Sequence, residues 1–239
     1  MNTIIIVLGV IILILIYILF KYFSTNYTNL NTTTNLNNII PAMKIANSPT
    51  ATRYCYSAWI YINSWDNNVN KVIFSRANNL KLYLSKSSPT LKLDMAMNDG
   101  SKGSMIVTDN FPIQKWCFIA ISVDNQYVDA YLDGKLIKSQ RFYNQSLSGN
   151  QQVGIMPIVP PDSNTPIYLG NSDISSVQFT AFDAYVAKFH HYSSPIDPQT
   201  AWNAYLDGNG NYFTNSLSAY GINLNILKNN VEQQQIILW

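Results

Sequence analysis

Hydrophobic and polar positions divide the chain into three regimes. Residues 4–20 read IIIVLGVIILILIYILF, apolar on every side and uncharged. At 1.5 Å of rise per residue, such a segment sits at the short end of what crosses a hydrocarbon core. Residues 24–48 then lose both helical and strand periodicity and become rich in Ser, Thr and Asn. That composition predicts a flexible spacer, part of which is alternatively the first edge strand of the body; a mixture of the two is expected, with 39–45 the part most disposed to pack. From residue 54 onward, short runs rich in Val, Ile, Tyr and Phe alternate with Asn/Asp/Gly/Pro turns about every ten residues. This rhythm predicts strands at 55–62, 71–76, 80–85, 91–97, 105–108, 117–124, 127–132, 135–141, 167–170 and 183–192. Asp133-Gly134 has the composition of a two-residue hairpin turn, and Asp99-Gly100 is a second candidate. One helix is expected after residue 197: Asp197 as N-cap, Pro198 in the first turn, Gly208 past the end, and Ala201, Trp202 and Tyr205 on one face. Strands at 220–227 and 231–238 predict a final hairpin.

The fold class that follows is all-β: a two-sheet antiparallel sandwich with one short helix, preceded by a single transmembrane helix. The domain division is an anchor over 1–23, a polar tether over 24–48, a sandwich over 49–210 and a C-terminal hairpin over 211–239 packed on it. The anchor runs from Ile4 to Phe20, with Lys21 able to snorkel to the headgroups. A cleaved signal peptide would need a positive N-terminal region and a small-residue cleavage site. Residues 1–3 are Met-Asn-Thr, and no A-x-A pattern follows Phe20. Lys21 on the C-terminal flank places the body on the cytosolic side by the positive-inside rule. Sequons at Asn26, Asn31 and Asn144 would be used only on the other side.

Composition narrows the chemistry. The net charge is +2 and no Lys/Arg run occurs, so nucleic acid is not an expected partner. Twelve of the thirteen acids are Asp, and the single Glu is Glu232. Glycoside hydrolysis requires two carboxylates facing one bond. Asp129 and Asp133 share a strand face but flank a hairpin, so they read as turn and solvent-face residues. With no nucleophile–base motif either, the chain is expected to be non-enzymatic and without a cofactor. Calcium donors could come from Asp94, Asp99, Asp109, Asp162 and Asp173, though no dense cluster forms. His190 and His191 are adjacent, so on a strand they point to opposite faces; one surface and one partly buried histidine are expected. Cys55 and Cys117, each on an expected strand, are either a disulfide or two buried thiols, and a cytosolic body favours thiols. Trp65, Asp66, Asn67 and Asn68 form one loop of the kind that binds sugars or partners; Tyr143 and Asn144 form another.

Several segments are familiar in order and spacing. Ser57-Ala58-Trp59-Ile60-Tyr61-Ile62, Trp116 with Phe118–Asp124, Val128–Leu136 around Asp133-Gly134, Ile167-Tyr168-Leu169-Gly170 and Phe182–Ala187 resemble the strands of laminin-G-like, concanavalin A-like jelly rolls. Ala184 stands where that family has Gly. The resemblance implies the same sandwich, and a glycosidase of that superfamily would carry a Glu-x-Asp-x-x-Glu strand that one Glu cannot supply. The 201–210 segment is similar to a motif in versions encoded by large nucleocytoplasmic DNA viruses, often membrane-anchored. That implies a minor virion protein linking an internal or host-derived membrane to a capsid shell, with the bilayer and capsid proteins as partners. A lectin-like adhesion protein that binds glycans is the alternative.

Overall fold

The structure is a computed structural model. It describes residues 3–23, 27–68, 71–145, 152–170, 181–209, 223–228 and 231–237.

Chain order is α1 (Thr3–Phe23), β1 (Tyr27–Asn35), β2 (Arg53–Ile62), β3 (Lys71–Arg76), β4 (Leu80–Leu84), β5 (Leu91–Ala96), β6 (Lys102–Thr108), β7 (Trp116–Asp124), β8 (Tyr127–Leu132), β9 (Lys135–Arg141), β10 (Tyr143–Gln145), β11 (Gln152–Gly154), β12 (Ile167–Leu169), β13 (Ala184–Tyr192), α2 (Pro198–Leu206), β14 (Asn223–Lys228) and β15 (Val231–Ile237). A six-stranded sheet runs β1-β13-β2-β7-β8-β9 and faces a five-stranded sheet, β12-β3-β4-β5-β6. All described pairings are antiparallel, as expected for the sandwich class.

The core is the alternation of each strand turned inward. Tyr54, Tyr56, Ala58, Ile60 and Ile62 of β2 meet Leu80, Leu82, Leu84, Leu91, Leu93 and Met95 of β4 and β5. The intervening β2 residues face outward, yet Cys55 and Trp59 are buried too, in a second cluster with Phe118, Ala120, Tyr131 and Ala201. Central strands therefore lack a solvent face, which is why β2 and β7 read as nearly continuous apolar runs. The cover on that outer face is α2. Asp197 caps it by accepting from the Thr200 N–H at 2.7 Å, and Tyr205 stacks on Trp59 with ring centroids 5.4 Å apart. Ala201 is fully buried, whereas Trp202 stays 37% exposed and leans over Tyr205. At the β8–β9 hairpin, Asp133 and Gly134 take φ of +47° and +75°, as a type I′ turn demands.

Within the stretch expected to mix spacer and edge strand, the strand is what forms over 27–35. Residues 27–35 form β1, zipped along β13 from Tyr27↔Tyr192 to Asn35↔Tyr185. An edge strand needs only one packed face, and Thr is β-branched, so a Thr/Asn run serves. Leu30 packs against the core, and Leu36 is fully buried with its N–H on Ala184 O at 2.8 Å. Of the stretch 39–45, Ile40 and Ile45 are buried while Ile39 is 70% exposed.

Helix α1 is 21 residues long, and its apolar side chains between Val7 and Phe20 are all exposed. Among the described residues no helix is long and apolar enough to cross a membrane. Strands β14 and β15 pair as the expected hairpin. Its side chains, and so its packing, lie outside the described residues.

Candidate functional site

Strand register sorts loops to the two ends of the sandwich. Tyr27 pairs with Tyr192, Tyr192 with Cys55, and Arg53 with Asp124. The start of β1, the end of β13, the start of β2 and the end of β7 therefore share one end. There a cleft of about 830 Å³ opens, lined by three separate segments: Tyr27 and Thr28; 45–51 with Arg53 and Tyr54; and His191 with Ser193 and Ser194. That volume lies within the range of small-ligand pockets. Thr28, Asn47, Thr50, Ser193 and Ser194 are exposed, so the front wall presents hydroxyl and amide groups. Among the described residues the lining includes no Asp or Glu.

Each wall has a cause. Buried Ile45 roots the 45–51 segment, and Ser48 Oγ donates to Ser163 Oγ at 3.3 Å. Arg53 at the rim is paired with Asp124 at 2.9 Å, both side chains about half exposed. Behind the cleft, Arg76 is buried. Its Nη2 donates to Pro161 O and Asp162 O at 2.7 and 2.8 Å, and its Nη1 to Tyr56 Oη at 3.4 Å. Tyr54, whose Oη accepts from Asn79 Nδ2 at 3.3 Å, completes the back wall.

The histidines need correction: both are buried. A register shift between Ala187 and His190, with Lys188 at φ +48°, precedes them. They do face opposite ways. His191 lies 5.0 Å from the Tyr56 ring, on the core side, and His190 stacks on Tyr27 at 4.0 Å, on the outer side. Burial pushes each pKa down to about 4, with Lys188 adding to the effect at His190 and Arg76 at His191. Both are neutral at pH 7.

The loops singled out from sequence lie elsewhere. Trp65 to Asn68 follow β2, at the far end of the sandwich from the cleft. Trp65 is half-buried, its Nε1 donates to Asn67 Oδ1 at 2.8 Å, and Lys71 Nζ sits 4.0 Å from its ring centroid. Asp66 Oδ1 accepts from the Asn68 N–H at 2.7 Å. The Asx turn and the buried cation consume groups that composition alone made look available. Tyr143 is 45% exposed, under the Arg141 guanidinium at 5.0 Å. It shares the cleft's end, but sits by edge strand β9, about 24 Å across the sheet from β1. The side chain of Asn144 lies outside the described residues, as do those of Ile4 and Lys21.

Nor do the calcium candidates converge. Asp94 is bound to Lys102 Nζ at 2.8 Å and Ser104 Oγ at 2.9 Å. Asp99 closes its turn on Ser101, and Asp162 caps Asn164 and Thr165. Asp109 is exposed on the loop after β6, and Asp173 lies outside the described residues. Among the described residues no three His, Cys, Asp or Glu side chains could hold a metal ion, so they do not fit calcium. Cys55 and Cys117 are free and buried. Cys117 pairs with Ile60, five positions along β2 from Cys55, so the sulfurs lie on opposite faces about 16 Å apart along the strand. That separation excludes a disulfide. Burial raises both thiol pKa values, Cys117 to about 12.

A two-sheet jelly-roll sandwich of this topology defines the concanavalin A-like class of fold. The laminin-G-type profile described as the concanavalin A-like lectin/glucanases superfamily matches residues 37–201, and the chain belongs to that family. Among solved structures, it is similar to the ligand-binding domain of botulinum neurotoxin serotype D in complex with N-acetylneuraminic acid. There the TM-score is 0.52 and identity 18%, over 77% of this chain and 44% of that one. It is also similar to the binding domain of Paraclostridial mosquitocidal protein 1, with TM-score 0.51 and 14% identity over 76% and 45%. At such identities the likeness concerns the fold, and this chain spans less than half the length of either. No curated protein matches.

Proposed function

We propose that the chain is a single-pass membrane-anchored, non-enzymatic binding protein that takes carbohydrate in the Tyr27–His191 cleft. The observation that carries this reading is the lining itself: exposed hydroxyl and amide side chains beside the Tyr27 and Tyr54 rings, with no carboxylate among the described lining residues. Sugars are recognised by such donors and acceptors, and the described lining holds no carboxylate pair of the kind hydrolysis uses. The neurotoxin domain crystallised with N-acetylneuraminic acid is a binding domain of the same fold. Anchoring is supported by residues 4–20 of α1, an uncharged apolar run about 25 Å long at 1.5 Å per residue. Lys21 supports a body on the cytosolic side.

Two measurements test this. The full chain should resist alkaline carbonate extraction, and in detergent it should bind a subset of a glycan array. Release by carbonate overturns the anchor; an array without hits overturns carbohydrate binding. Protease protection of the body in sealed membranes tests its side.

One observation favours a second reading, the minor virion protein. Leu136, Trp202 and Leu206 are exposed by 47%, 37% and 62% near the β8–β9 turn, where Gly134 lies against Trp202. Apolar surface of this kind suits contact with a capsid shell protein. Absence from purified particles removes that reading.

A further inference from the structure

We infer that the cleft takes its ligand from the bilayer that holds the chain: the polyhydroxylated ring headgroup of a lipid in the same leaflet, whether glycosyl or inositol. This deepens the reading above and rests on it.

A coil over 24–48 would have let the body roam far from the surface. Instead, β1 is zipped to β13 from Tyr27 onward, and the chain is clipped at Leu36. Between Phe23, the end of α1, and Tyr27, the start of β1, the backbone can span at most about 14 Å. Tyr27 and Thr28 are themselves walls of the cleft. A headgroup layer is roughly 5–7 Å thick. The cleft is therefore held within about two such layers of the hydrocarbon boundary and cannot be carried outward.

The lining suits what is found at that depth. Thr28, Asn47, Thr50, Ser193 and Ser194 offer donors and acceptors to ring hydroxyls. Ala46, Pro49 and Ala51 make the adjoining wall less polar, as the methine face of a ring requires. Arg53 is the one cation among the described lining residues, placed at the rim, where the phosphate of an inositol lipid would come. Sharing one surface with its ligand raises the effective concentration to the millimolar range.

The test uses the full chain reconstituted in phosphatidylcholine vesicles. One set also contains glucosylceramide and another phosphatidylinositol, while a third receives free cellobiose or myo-inositol in solution. Amide hydrogen exchange is read over 45–51. The expected result is at least about tenfold slowing with one lipid set and little with the free ring at equal bulk concentration; which set responds identifies the source. Ala46→Trp, which fills the cleft from an exposed position, and Arg53→Gln should each reduce the slowing. A Gly/Ser spacer of roughly twenty residues inserted between Asn26 and Tyr27 should weaken it several-fold. Slowing by a free ring but by neither lipid overturns the inference and leaves carbohydrate binding standing. No slowing in any set overturns the inference, and with an empty glycan array it removes the underlying reading too. Slowing unchanged by the spacer or by Ala46→Trp overturns it as well.

Discussion

The two ends of strand β3 show how one device yields two outcomes. The strand begins with Lys71 and ends with Arg76, and both are buried. Each cation is held by backbone carbonyls: Asp66 O and Lys86 O for Lys71, Pro161 O and Asp162 O for Arg76. At the Lys71 end the loops close on themselves. There Trp65 lies against the ammonium, Asp133 binds Lys115 and the Phe118 N–H, and Asp183 binds Asn63 and Ser64. At the Arg76 end the cation supports a back wall, and polar side chains in front of it stay exposed. The difference comes from β1, whose first residues add a wall at that end and nothing at the other. An apparent binding loop can thus be fully used internally, while the open site is assembled by an edge strand of unremarkable composition.

The largest expected effect is at Arg76. Arg76→Ala removes the donor of the part-buried Pro161 and Asp162 bonds and of the buried Tyr56 hydroxyl, and empties the space of a fully buried side chain. It should cost about 3–5 kcal/mol in urea unfolding, from the lost charge-assisted bonds together with the cavity left behind. A loss under 1 kcal/mol would mean that the back wall does not depend on this cation.

Next comes acidification. The folded-state histidine pKa values, about 4, lie below the ordinary 6.5. Between those values the unfolded chain binds more protons, so stability is full above pH 6.5 and falls as pH drops toward 4. The loss is at most about 3 kcal/mol per histidine. Urea midpoints measured at pH 7.5, 5.5 and 4.5 should show this slope. His191→Phe should roughly halve it, because His190 sits on the other face of β13 and titrates independently.

These residues also mark how far the sequence was legible. Periodicity places β3, β8 and β9 at 71–76, 127–132 and 135–141, and the Asp197, Pro198 and Gly208 signals bracket α2, because those signals are local. Strand β1 was legible only as one of two open readings, because its apolar content is Tyr27 and Leu30 alone, and pairing with β13 supplies what its own pattern lacks. Burial of His190 was hidden for a like reason: its cover, Tyr27, lies on that polar segment. The cleft draws on residues 27, 53 and 191, whose adjacency exists only in the sheet register. Trp65 was visible, but the groups that occupy it, Asn67 and Lys71, act through geometry that composition does not encode.

A smaller stability effect is expected at the opposite end of β3. Lys71→Met keeps the apolar stem and removes the ammonium, leaving two carbonyls that a loosened loop can expose to water. The cost should be about 1–2 kcal/mol, less than at Arg76 because hydration can replace the lost bonds. Burial already lowers the Lys71 pKa, so part of its charge's cost disappears with it. Equal losses at Lys71 and Arg76 would erase the distinction between a closed loop and a supporting wall.

The smallest effect should be on binding at Trp65. If the far loop is closed because its groups serve one another, Trp65→Ala removes the platform under Lys71 and the Nε1 bond to Asn67. Stability should fall by about 1–2 kcal/mol from lost packing and cation–π contact. The affinity for whatever sugar the glycan array identifies should stay within twofold, because the cleft lies at the other end of the sheet. Thr50→Trp, on the exposed rim, should do the reverse: near-native stability and binding reduced by at least about tenfold, since the indole occupies the space of the ligand. Isothermal titration of both variants decides the matter. If Trp65→Ala abolishes binding and Thr50→Trp spares it, the aromatic loop is the receptor and the cleft is only a seam between three chain segments.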